Sequence, residues 1–357
     1  MCSSTSSSDW RRFFRLSAGT AVLAVALVYA FVVLVDPFDV LPLSPPAERV
    51  PVASNARFAF PSLARSGRFD SAVFGTSTSR LLRPEVLNAA FGARFANLAM
   101  NAATSYEQTH LMALFRNAHP DARVVIVGLD LAYCMPGKAE IVFTPREFPA
   151  WMYTDNRWHG YGRMLNLYAV QEAGQEFAVL LGFKPQVYGS DGYTSFVPPD
   201  SAYDPDRVAM HLRDVTPYVP PGEHEGDAAT WLYPGLDRLD GQLTAFSAKT
   251  RKILFFVPYL RRLMPEAGSP GDMVWHECKR RVAALAQRVP NAVALDFMLP
   301  SPITSVQDNY WDGAHYRTGI ADRIARDLAA AARGQESADY ILLDDGTSVS
   351  VHAETVR

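Results

Sequence analysis

The chain has 357 residues, 48% of them hydrophobic, with 34 Lys and Arg against 37 Asp and Glu and a formal net charge of −3. That length and apolar content suffice for a large packed domain. The near-neutral balance, with no Lys/Arg runs interleaved with aromatic residues, speaks against a nucleic-acid-binding surface. Three cysteines, Cys2, Cys134 and Cys278, are too few for a disulfide scaffold, and no C-x-x-C spacing suggests a zinc or redox site.

In chain order, residues 1–15 form a short N-terminal segment carrying Arg11, Arg12 and Arg15. Leu16 to Val35 is a run of 20 residues without a charge, long enough to span a hydrocarbon core of ~30 Å as a helix. Asp36-Pro37-Phe38-Asp39 follows instead of a small-residue cleavage site, which favours an uncleaved anchor over a removed signal. Cys2 precedes the apolar run and so is not a lipoprotein cysteine. Arginines before the run and aspartates after it place the N-terminus in the cytoplasm and the body outside, at the inner membrane of a cell envelope. Residues 36–67, with Pro37, Pro42, Pro45, Pro46 and Pro51, are expected to form a semi-rigid stalk. If the body lies in an oxidising compartment, Cys134 and Cys278 could pair; two buried free thiols are the alternative.

The body, residues 68–335, reads as alternating strands and helices. Ser71–Phe74, Phe95–Ala99, Arg123–Leu131, Lys252–Pro258 and Ala292–Phe297 have strand character. Pro84–Phe91, Ser105–Ala118, Asp272–Arg288 and Thr318–Ala332 have helical character. RVVIVGLDL is nearly all apolar and β-branched, as a central parallel strand should be. The alternation implies an α/β domain with a parallel sheet covered on both faces, its ligand site beyond the carboxyl ends of the strands. It stops between about residues 132 and 236, a stretch too long for a plain loop and expected to be an inserted lid or subdomain. Trp151, Trp158 and Trp231 in it serve as core and lid or as a platform for a sugar ring. Residues 336–357 form a C-terminal tail, weakly strand-like at Tyr340–Leu343.

Two motifs carry the chemistry. Gly75-Thr76-Ser77-Thr78-Ser79-Arg80 directly follows the first strand, where a tight turn exposes a hydroxyl and directs backbone N–H groups into the same space. Asp312-Gly313-Ala314-His315-Tyr316 lies between the last strand and the last helix. A serine hydroxyl needs a base to become a nucleophile. His315 is the candidate base for Ser77, with Asp312 three residues earlier to orient it and Asp308 as an understudy. Ser79 is the second serine of the turn. Asp130 is read as a structural acceptor for the Ser77 loop, and Arg80 as either a contact to an anionic substrate or a surface ion pair. His276-Glu277 lacks a second histidine at helical spacing, so no metal site is expected.

These residues carry a resemblance. Gly75-Thr76-Ser77, Asn97-Leu98-Ala99, Val127-Gly128-Leu129-Asp130 and Asp312-x-x-His315-Tyr316 resemble the SGNH/GDSL hydrolase superfamily, and within it the membrane-anchored SGNH-like proteins of bacterial envelopes. The likeness covers about residues 68–332, without the insertion. It implies a three-layer, flavodoxin-like parallel sheet and a serine esterase or O-acyltransferase acting on a polysaccharide or cell-wall polymer. Ser77 would then be nucleophile and oxyanion donor, His315 base and Asp312 orienter, with no cofactor. A catalytically degenerate scaffold that binds a glycan or a protein partner is the competing expectation. The chain departs from the pattern: Thr76 stands where Asp is usual, and Gly128-Leu129-Asp130 replaces the block whose Asn donates to the oxyanion. Asn101 is the substitute donor suggested by its place after the second strand.

Overall fold

The computed structural model describes residues 7–45, 49–138, 141–217 and 226–344. Helix α1 (Ser7–Val35) is, over Asp9–Val35, long and apolar enough to cross a membrane. Leu16, Leu23 and Leu27 are exposed on it, unlike the stripe a soluble core helix buries. Its last turn behaves differently, with Val32 and Val35 buried against the body. Asp36 takes a left-handed φ of 45°, and its carboxylate accepts from the N–H groups of Val40 (3.2 Å) and Leu41 (3.0 Å).

The described part of residues 36–67 is therefore not the expected stalk. Phe38, Val40, Leu41, Val50, Val52 and Ala53 are buried, and α2 (Ala56–Arg65) starts on an Asn55 cap. The prolines do block long helix there, but the apolar side chains between them find a core, and that burial outweighs the extended-chain preference. Arg57 on α2 is fully buried and paired at 2.5 Å with the equally buried Glu107, in the helix Ser105–Ala118, which locks this segment to the body.

The body then runs β1 (Ser71–Phe74), α3 (Pro84–Phe91), β2 (Phe95–Asn97), α4 (Ser105–Ala118) and β3 (Val124–Leu129). The insertion carries α5 (His159–Arg163), α6 (Leu167–Leu180) and α7 (Pro205–Leu212). After it come α8 (Pro234–Ala245), β4 (Arg251–Phe256), α9 (Pro270–Arg288), β5 (Ala292–Asp296), α10 (Thr318–Ala331) and β6 (Ile341–Leu342). The six strands form one sheet in the order β2-β1-β3-β4-β5-β6, parallel throughout except for β6. Every residue of β1 and β3 is buried, so both faces of the sheet are covered. Helix α4 packs on α2 and α8, α3 on α10, and α9 on β5.

At the insertion and the tail, readings left open by the sequence are decided. Cys134, just past β3, forms a disulfide with Cys278 on α9, with Cα atoms 5.5 Å apart. It pins the start of the insertion to the body. The described part of the tail joins the sheet as β6, with Tyr340 and Asp339 buried; residues 345–357 lie outside the described residues.

Candidate active site

The strand order reverses at β1, whose neighbours are β2 on one side and β3 on the other. Beyond the carboxyl ends of β1 and β3 lies the crevice where parallel sheets of this kind hold ligands. The turn after β1 is built around Ser79, whose side chain is fully buried. A Cβ on Gly75 would lie 2.2 Å from Ser79 Oγ, and one on Gly128, near the carboxyl end of β3, 1.8 Å from it. The two glycines thus make room for Ser79, and this packing removes it as a nucleophile. Ser77, two residues earlier, is left partly exposed at the top of the turn. Asn97, at the end of β2, holds the turn from below by donating its Nδ2 to the carbonyls of Ser79 (3.2 Å), Arg80 (3.2 Å) and Leu82 (2.7 Å).

Asp130, at the end of β3, is buried and accepts from Thr76 Oγ1 and from the Ala132 N–H (2.9 Å). Burial pushes its carboxyl above the usual range, partly offset by these two donors. Asp130 thus braces the Ser77 turn, the structural role expected of it, with Thr76 supplying the hydroxyl that ties the two strand ends together. Arg80 N–H donates to Thr76 C=O at 3.1 Å, closing one turn of helix. Among the described residues no backbone carbonyl accepts from the N–H of Ser77 or Thr78, as at any helix start.

The loop between β5 and α10 crosses back over the ends of β4 and β3 to reach this turn. Tyr310 OH donates to Pro258 C=O (3.2 Å), Leu260 N–H to Gly313 C=O (2.9 Å), and Tyr316 OH to Thr78 C=O (2.6 Å). The last contact brings His315 to Ser77. Asp312 shapes the loop through Oδ1, which accepts from the Ala314 and His315 N–H groups at 2.8 and 2.7 Å. Its Oδ2 lies 2.7 Å from His315 Nδ1, and His315 Nε2 lies 2.7 Å from Ser77 Oγ. An ionised carboxylate only accepts, so Nδ1 carries the proton and Nε2 faces the serine as an acceptor. Burial raises the Asp312 carboxyl, but the His315 side chain and the two N–H groups outweigh it, and the net shift is downward. Asp308 takes no part; it accepts from Tyr203 OH at 3.3 Å.

The insertion supplies one wall. The Phe196 ring meets the His315 ring edge-on at 5.3 Å. Arg80 is buried, with its guanidinium 5.2 Å from the Tyr188 ring and 5.6 Å from the Phe196 ring. It has no carboxylate partner among the described residues and its Nε is unbonded, so it is not the surface ion pair that was the alternative reading. Asn101 follows a loop tied to the Ser77 turn by Met100 N–H to Gly75 C=O (3.0 Å), but its own carbonyl accepts from Arg57 and its Oδ1 is buried without a partner. Among the described residues Asn101 makes no bond to Ser77. Trp231 is buried, whereas Trp158 is exposed and Trp151 partly buried. The aromatic side chain in contact with His315 is instead Phe196. Phe196 and Tyr188 gave no signal in the sequence, whereas Asn97 and Tyr316 stood in its motifs without a role assigned to them. No group of three or more His, Cys, Asp or Glu able to hold a metal occurs among the described residues.

No protein-family model matches the sequence, and no curated protein matches it.

Proposed function

We propose that the chain is a membrane-anchored, extracytoplasmic serine esterase or O-acyltransferase of the SGNH type, acting on an ester of an envelope glycan or a related polymer. The observation that carries this reading is the unbroken relay Ser77–His315–Asp312, assembled from loops at opposite ends of the body with two 2.7 Å links. The strand order 2-1-3-4-5 of the parallel part supports the flavodoxin-like, SGNH-type assignment. The disulfide supports a body outside the reducing cytoplasm.

In this reading Ser77 Oγ attacks the ester carbonyl while its proton passes to His315 Nε2, and Asp312 stabilises the resulting imidazolium. The N–H groups of Ser77 and Thr78 face the developing oxyanion. Collapse breaks the C–O bond, and His315 returns the proton to the departing alcohol. His315 then deprotonates water or a sugar hydroxyl, which attacks the acyl-Ser77 and regenerates the free serine. Arg80, a buried cation without a carboxylate partner among the described residues and one ring away from His315, favours a substrate bearing a negative charge.

One observation favours a non-catalytic glycan- or partner-binding scaffold: Asp130 stands where an amide donor is wanted and is already engaged by Thr76. A fluorophosphonate probe separates the two readings. Covalent labelling of the folded protein that disappears in Ser77→Ala supports the hydrolase; a folded wild-type protein that stays unlabelled supports the scaffold.

A further inference from the structure

Helix α6 is inside-out for a protein surrounded by water. Its inward positions include Glu172 and Glu176, which are 1% and 0% exposed. Both carboxylate oxygens of Glu176 and one of Glu172 have no hydrogen-bond partner among the described residues. Its outward positions include Leu167, 88% exposed, Phe177 and Leu180, and the apolar surface continues through Leu181 and Phe183, 79% exposed. A water-facing helix has the opposite pattern. Burial pushes the Glu176 carboxyl up to about 7, toward the neutral form that apolar surroundings tolerate.

This face is continuous with α1. Tyr29 OH donates to Tyr161 C=O at 2.9 Å, and the Phe31 ring meets the Phe177 ring edge-on at 5.6 Å. If the span starts at Leu16 and ends at Val35, a rise of ~1.5 Å per residue puts Phe31 roughly 6 Å inside its outer end. Phe177 packs beside it and so reaches the same depth. Trp158, exposed and with its ring 5.8 Å from that of Tyr161, has the character of an interfacial aromatic residue. Arg163 and Lys184 are exposed at either end of the patch, where they match anionic headgroups.

We infer that α6 and the segment through Phe183 form a second membrane contact, seated in the outer interface of the bilayer that α1 crosses. The occupant of this face is lipid. The bilayer already surrounds α1 at the depth where Phe31 and Phe177 meet, so it needs no further partner to reach the patch. The inference rests on α1 being a membrane span.

The test uses the full-length chain carrying Cys2→Ser, reconstituted in phosphatidylethanolamine–phosphatidylglycerol vesicles. Nitroxides are placed singly at Leu181→Cys, Phe183→Cys, Ala24→Cys in the middle of α1, and the exposed Asn117→Cys on the body. Collision with oxygen relative to a water-soluble nickel chelate is measured at each. The expected result is a ratio several-fold higher at 181 and 183 than at 117. A ratio at 181 and 183 equal to that at 117, with 24 high, puts the face in water and overturns the inference. Low access to both reagents at 181 and 183 means that protein covers the face, and overturns it equally. If 24 also matches 117, the span itself fails and takes the inference with it.

Discussion

At the residue scale, Asp312 does two separable things: Oδ1 shapes the loop and Oδ2 fixes the His315 tautomer. Asp312→Asn keeps an acceptor for the loop N–H groups but can donate to Nδ1, turning the protonated nitrogen toward Ser77. Turnover of an activated ester is expected to fall by about 10⁴ while the far-UV spectrum stays unchanged; a loss under tenfold would argue against the relay. Ser77, His315 and Asp312 were legible because each sits at a predictable place, one turn past a strand or just before a helix. Phe196, Tyr188 and the bond from Tyr316 to Thr78 were not, because they depend on contacts between remote segments, and local periodicity does not encode those. Ser79 shows the same limit: only its seat on Gly75 and Gly128 reveals that it is packing rather than chemistry.

At the element scale, the five parallel strands and helices α3, α4, α9 and α10 fell within a few residues of the expected bounds, since β-branched apolar runs and capped amphipathic helices are strong local signals, whereas α8 was not foreseen. The stalk failed because proline density reports what a segment cannot be, not whether its apolar residues find a partner. The insertion's fold was not readable at all; its anchor is the disulfide. Replacing Cys134 and Cys278 together by alanine should lower unfolding free energy by about 2–5 kcal/mol in urea titration, and dithiothreitol should bring wild type close to the variant. The tail offers a second measurement. On α10, Asp327 faces Asp339, which accepts from Arg323 at 2.8 Å, and among the described residues Asp327 Oδ2 is buried without a donor. Burial first, then the neighbouring Asp339, raises the Asp327 carboxyl well above its usual value. A raised carboxyl binds its proton more tightly when folded, so its stabilising contribution is complete at acid pH and lost as pH rises through the raised pKa. Asp327→Asn should therefore gain stability over wild type at pH 8 but not at pH 4. Parallel melting curves at both values settle it, and an equal effect at the two would sink the idea.

At the scale of the whole molecule, the proposed topology rests on the charges flanking the uncharged run of α1, with Arg11, Arg12 and Arg15 in its first turns and Asp36 and Asp39 after its end. Cys2 is a native reporter, since the other two cysteines are paired. A membrane-impermeant maleimide applied to spheroplasts should leave Cys2 unmodified until the membrane is opened, whereas externally added protease should reach the body at once. Labelling of Cys2 in sealed cells would invert the orientation.

The junction between helix and body has a mechanical consequence. Asp36 clamps the chain onto Val40 and Leu41, while Val32 and Val35 are already sunk in the globule. A junction held in this way does not pay out like a tether, so on the proposed reading Ser77 would work at one set height above the lipid. Its clientele would then be decided as much by reach as by chemistry, and esters held within that narrow slice of the envelope are the ones it could service.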